Sequence, residues 1–175
     1  GCPTCTCNLR FLFNISIKEN IRMGNPCATD EEVLAAAKAA RCDEFIRKME
    51  YGYDTLVGDA GGKLSGGERQ RITIARAILK PADVVILDEA SAYADPENEV
   101  YIEEAINELV KGKTLIVVAH RLETIENSDK IVVVDQGKIV AEGTQSELLK
   151  NCALYKRLWN ETILTSERKR GDCNA

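Results

Sequence analysis

"KLSGGERQRITIARAIL", Lys63 to Leu79, opens on a serine and two adjacent glycines and runs straight into a helical pattern. Ile72, Ala75 and Leu79 form one apolar stripe at helical spacing, with Ile74 and Ile78 beside it. A helix N-terminus presents unpaired N–H groups and the positive end of a dipole, which together suit an anion. Glycines at that mouth let the backbone approach a phosphate with no Cβ between. The same three residues also suit a plain turn and cap, so their meaning comes from what surrounds them.

Downstream, Pro81 ends the helix and "DVVILDE", Asp83 to Glu89, is an apolar run that predicts a strand buried on both faces of a parallel sheet. Asp95 and Pro96 start the next helix by cap and first-turn chemistry, with core positions Ile102, Ile106, Leu109 and Val110, and Gly112 closes it. "TLIVVAH", Thr114 to His120, predicts a second buried strand. "KIVVVDQGKIVAEG", Lys130 to Gly143, predicts a hairpin turning at Gln136–Gly137. From Gln145 to Ile163 the pattern is helical, with Leu154, Leu158 and Trp159 available for packing, and "SERKRGDCNA" is a solvated tail.

Upstream, Ser16 with Glu19 and Thr29 with Glu32 predict capping boxes for two short helices. Asp43 caps a third, and "YGYDTLVGDAGG" is a glycine-rich loop leading to the opening motif. Residues 1–10, "GCPTCTCNLR", show no periodicity and read as irregular. Buried strands alternating with helices predict an α/β fold.

Composition sets limits. The chain has 175 residues, 45% hydrophobic and 29% charged, with a net charge of −5. That acidic balance argues against a nucleic-acid partner, which calls for a basic face. The longest uninterrupted apolar run, Leu115 to Ala119, is far short of the ~20 residues of a membrane span. Seven cysteines include "CPTCTC", whose spacing suggests a metal knuckle. The lone histidine is His120, and no second cysteine pair supplies further ligands, so reduced thiols are the favoured reading.

The first buried strand finishes in Asp88–Glu89 and the second in His120. Ligands of open α/β sheets bind at the carboxyl ends of strands, which puts these groups at one edge. An aspartate there suits Mg²⁺, a neighbouring glutamate suits taking a proton from an attacking water, and a histidine suits a γ-phosphate. Each also has a plain structural reading, as a cap or a satisfied polar side chain.

"LSGGERQR", "VVILDEASAYAD", "LIVVAHR" and "DQGKIVAEGTQSELL", in that order, closely resemble the ATPase domain of ABC transporters, over about Phe11 to Trp159. "FLFNISIKENI" and "GTQSELLKNCALYKRLW" look most like exporter-type members. The resemblance implies a P-loop-NTPase-like parallel sheet with a helical subdomain at about 14–80, within a partial ATPase domain spanning 11–163. The strand–helix core and C-terminal helices would take 81–163, leaving an atypical segment at 1–10 and a solvated tail at 164–175. It implies Mg²⁺ on Asp88, Glu89 as catalytic base, and His120 on the γ-phosphate. Leu64, Ser65, Gly66, Gly67 and Glu68 would bind an ATP held by a second ATPase domain in a head-to-tail dimer, and Asp95 would communicate across that interface. A transmembrane domain would be the other partner, with the chain at the cytoplasmic face of a membrane and export as its task.

Two departures qualify this. The family's phosphate loop, G-x-x-x-x-G-K-[ST], does not occur: "GGKLS" has Leu64 at the hydroxyl position, and "KGKT" leads into a strand instead of a helix. The family's glutamine before the phenylalanine pair is Asn8 here, in a segment that reads as foreign. The expectation is a domain truncated at its N-terminus, without the phosphate-loop strand and β-subdomain. Such a chain would be inactive alone and, in the alternative reading, a partner donating its signature to another ATPase domain. Two or three charge-assisted bonds of roughly 1.5–3 kcal/mol each hardly exceed an association cost of about 4–15 kcal/mol. The signature completes a site and does not make one.

Overall fold

A computed structural model describes residues 4–7, 11–58, 64–88, 96–119 and 122–171. The chain divides into two compact units, Gly1–Val118 and Ala119–Ala175.

The first unit contains α1 (Ile17–Arg22), α2 (Asp30–Ala39), α3 (Asp43–Ile46), α4 (Gly66–Leu79) and α5 (Pro96–Val110). Its strands are β1 (Thr4–Cys7), β2 (Val84–Asp88) and β3 (Thr114–Val118). The helix starts follow local chemistry. Thr29 and Glu32 close a reciprocal box on α2, and the Ser16 hydroxyl caps α1 while Glu19 turns aside to Arg22. The expected Asp43 cap is corrected: Cys42 holds that position without a side-chain bond, and Asp43 accepts from the Tyr53 hydroxyl at 2.9 Å. At the end of α2, Arg41 takes the left-handed conformation (φ 55°), and the Cys42 N–H reaches back to the Ala37 carbonyl at 2.8 Å. That is the Schellman closure with arginine in the place glycine usually takes.

α4 is the hub, packed on α1, α2 and α5. Ile72, Ile74, Ala75 and Ala77 are buried on it together with Gln70, Arg71 and Thr73, so burial runs round the helix and beyond the two apolar stripes. Leu12, Ile17, Ile21, Val33, Ile46 and Leu109 complete the core around it.

The sheet is parallel in the order β1-β2-β3, with Cys7 opposite Leu87 and Asp88 opposite Val118. β1 corrects the irregular reading of its segment. Four residues carry too little pattern of their own, and pairing with the apolar β2 decides their conformation. β2 buries Val85 and Leu87, while Val84 and Ile86 are half-buried. β3 is corrected more sharply: Leu115, Ile116 and Val118 are exposed at 37%, 48% and 47%. It stands at the sheet's edge, with β2 on one side, and an edge strand's burial depends on what covers it.

The second unit pairs β4 (Ile131–Asp135) with β5 (Lys138–Gly143) and adds α6 (Gln145–Asn151) and α7 (Ala153–Gly171). Gln136 and Gly137 both have positive φ, 49° and 75°, as a two-residue hairpin turn of the primed type requires. Ile131, Val133, Leu148 and Tyr155 form its core. Tyr155, unremarked in the sequence, is buried, and Trp159 stacks on it at 6.5 Å between ring centres. α7 continues through Gly171, beyond the helix end expected at Ile163.

Candidate functional site

The mouth of α4 is built by its own first turn. The Ser65 hydroxyl accepts from the Glu68 N–H at 3.2 Å, and the Glu68 carboxylate accepts from the Ser65 N–H at 2.7 Å. This reciprocal box engages both polar side chains of the motif and leaves Gly66 and Gly67 as the first-turn amides outside it. Leu64 is buried beneath the turn, and its carbonyl accepts from the Arg69 guanidinium at 3.1 Å.

The two glycines differ. Gly66 is exposed, so its bare backbone lies open to an incoming anion. Gly67 is buried, and a Cβ there would lie 2.7 Å from Cβ and Cγ of Asn98 on α5. Its missing side chain serves the close approach of two helices, a reason the motif alone does not reveal.

Two arginines of α4 hold its neighbours. Arg76 donates to the Phe11 carbonyl (3.1 Å), the Asn20 carbonyl (2.7 Å) and Asn20 Oδ1 (2.9 Å), and it lies over the Phe13 ring. Burial lowers its pKa from the ordinary guanidinium value, but an arginine stays charged in such a setting. Asn20, fully buried, accepts from the Phe13 N–H and donates to the carbonyls of Phe13 and Ser16. The exposed pair Phe11 and Phe13, edge to face at 4.8 Å, therefore rests on a fixed backbone. Arg71 donates to the Arg41 carbonyl and to Asn98 Oδ1 and lies between the rings of Phe45 and Tyr101. None of these polar positions was singled out from the sequence. The one available signal was that α4's stripes are too wide to leave a solvent face for its arginines.

Asp88 ends β2 beside Val118, the last residue of β3. Glu89, Asp95 and His120 themselves lie outside the described residues, as do Asn8 and the side chain of Asp88. The carboxylates of this sequence are hard oxygen donors of the kind Mg²⁺ takes, and the α4 mouth is of the kind phosphates take. Among the described residues no cluster of three metal-ligating side chains occurs.

The family profile described as ABC transporter matches residues 5–92. The chain belongs to the ABC transporter family. An ABC transporter ATP-binding protein of Sinorhizobium fredii is 47% identical over 89% of this chain and 27% of its own length. ABC transporter B family member 14 of Arabidopsis thaliana is 51% identical over 84% of this chain and 12% of its own. A solved structure of a bacterial Atm1-family ABC exporter with ATP bound superimposes with a TM-score of 0.81 at 39% identity, over 91% of this chain and 28% of that one. The ABC chain described here is thus of the exporter type and spans about a quarter or less of the lengths of these relatives. The profile match begins at residue 5, within β1. No described helix is long and apolar enough to cross a membrane.

Proposed function

We propose that this chain is part of the ATPase domain of a membrane exporter, coupling ATP binding and hydrolysis to transport from the cytoplasmic face. The observation that supports this best is the likeness, over 91% of the chain, to an exporter solved with ATP bound. Residues 14–80 are the helical subdomain, and 81–163 the core with its C-terminal helices. Asp88 holds Mg²⁺, Glu89 takes the proton of the attacking water, and His120 contacts the γ-phosphate. Leu64 to Glu68 receive an ATP held by a second ATPase domain, with Asp95 across the same interface. The open backbone at Gly66 is what suits the α4 mouth to that task.

The test is Glu89→Gln in a longer polypeptide carrying this sequence together with its phosphate loop. Turnover is expected to fall about 10²–10⁴-fold while ATP binding persists. Undiminished turnover removes Glu89 from the base role. The alternative, a non-catalytic partner that donates its signature, predicts instead that the 175-residue chain stimulates turnover by a complete ATPase domain whose own signature has been mutated.

A further inference from the structure

Asn98 stands on the first turn of α5, three residues after Asp95, and Arg71 stands one turn into α4. Arg71 is only 5% exposed, and its guanidinium reaches outside α4 to Arg41, Phe45, Asn98 and Tyr101. One guanidinium nitrogen donates to the Arg41 carbonyl at 3.0 Å, at the closure of α2. Another donates to Asn98 Oδ1 at 3.1 Å. The charge lies 4.9 Å from the Phe45 ring centre and 5.2 Å from that of Tyr101, and Nε is buried without a partner. With one nitrogen already unsatisfied, the cation depends on its remaining bonds, so losing one is costly. One turn earlier on the same helix, Gly67 admits the Asn98 side chain at a distance no Cβ would tolerate. Asn98 is thus gripped between a glycine of the α4 mouth and an arginine one turn further along.

We infer that Asn98 is a positioning residue for ATP hydrolysis: held by Arg71 against Gly67, it locks the α4 mouth to the start of α5 so that the two move as one body. The inference rests on the proposed ATPase reading. Under it, the α4 mouth closes on a phosphate brought by the second domain, while Asp95 at the start of α5 meets the same interface. Asn98 acts through Arg71 and Gly67 and not on the reacting atoms. It sets the angle at which one end of a single rigid piece arrives when the other is engaged. The ATP being hydrolysed is held chiefly by the opposite domain, so loosening this lock affects the catalytic step more than ATP affinity.

The test compares Asn98→Ala with Asn98→Asp in the full-length polypeptide, measuring kcat, KM for MgATP and the thermal midpoint. Asn98→Ala removes the acceptor for Arg71 and is expected to lower kcat by about tenfold, the usual scale for a bond to a charged group, with KM within about twofold of the parent. Asn98→Asp keeps an oxygen at the same place and is expected to restore kcat to within about twofold. A folded Asn98→Ala protein with unchanged kcat overturns the proposal. So does an Asn98→Asp protein as slow as Asn98→Ala, because the acceptor would then not be what matters. A parent protein without turnover overturns the ATPase reading and this inference with it, whereas turnover indifferent to Asn98 overturns this inference alone.

Discussion

α4 and β3 both carry isoleucines that call for cover, both are central to their part of the sequence, and they end in opposite conditions. α4 is buried round most of its circumference, whereas β3 leaves Leu115, Ile116 and Val118 exposed. A helix satisfies its backbone within itself and needs only side-chain cover, which α1, α2 and α5 supply from the same unit. A strand needs a neighbour on each edge as well as cover on each face, and among the described residues β3 pairs with β2 alone. The helical part of this chain is therefore self-sufficient where the sheet is not. Three measurements break or sharpen that contrast.

The largest effect belongs to α4. Ile74→Ala deletes a fully buried side chain and is expected to cost about 2–5 kcal/mol, the usual range for an isoleucine cavity. Arg76→Met follows at about 1–3 kcal/mol, because the carbonyl and Oδ1 of Asn20 lose a donor in a partly buried setting. Both are measured by urea unfolding followed through the helical circular-dichroism band. If Ile74→Ala cost no more than a surface change, α4 would not be the hub.

Smaller and more local is the start of α6. Thr144 and Glu147 form a reciprocal box there, and Thr144→Ala is expected to cost about 1 kcal/mol of the second unit's stability. Bonds from the Thr144 backbone N–H, then from its hydroxyl, lower the Glu147 pKa from its ordinary 4.5. The folded value thus lies below the unfolded one, so the stabilisation is complete above about pH 4.5 and is lost as pH falls through the folded value. Acid titration of the unfolding midpoint should show this step in the parent and not in Glu147→Gln.

The same contrast explains what was legible beforehand. The box at Thr29 and the Gln136–Gly137 turn follow from residues within a few positions of one another and were read directly, the Ser16 box closed only on the serine side, and the equally local boxes at Ser65 and Thr144 were not singled out. The α/β alternation was equally plain from the two apolar runs. β1 was not, because its conformation comes from β2, some eighty residues away in the register Thr4–Val84. The exposure of β3 was not, because an apolar strand looks the same whether covered or bare. Nor were the buried polar grips: Arg71 meets Asn98 across 27 residues and Arg76 meets Asn20 across 56. At the candidate site, residue types and order pointed to the chemistry. The division of labour between an open Gly66 and a packed Gly67 required the structure.

The smallest stability effect is expected at β3, and it is the most telling for the contrast. Ile116→Lys changes a half-exposed edge side chain, so folding stability should move by no more than about 0.5 kcal/mol. Its influence on association should be much larger. An apolar strand with an unpaired edge is a template for pairing with another chain, and a lysine there is the usual deterrent. The 175-residue chain is expected to aggregate at micromolar concentration, and Ile116→Lys to raise the soluble fraction seen by size-exclusion chromatography. Val132→Lys on β4 makes a control, because it adds the same charge at another exposed apolar strand residue. Equal gains from both would assign the association to exposed apolar surface in general, and a gain confined to Ile116→Lys would assign it to the edge of β3.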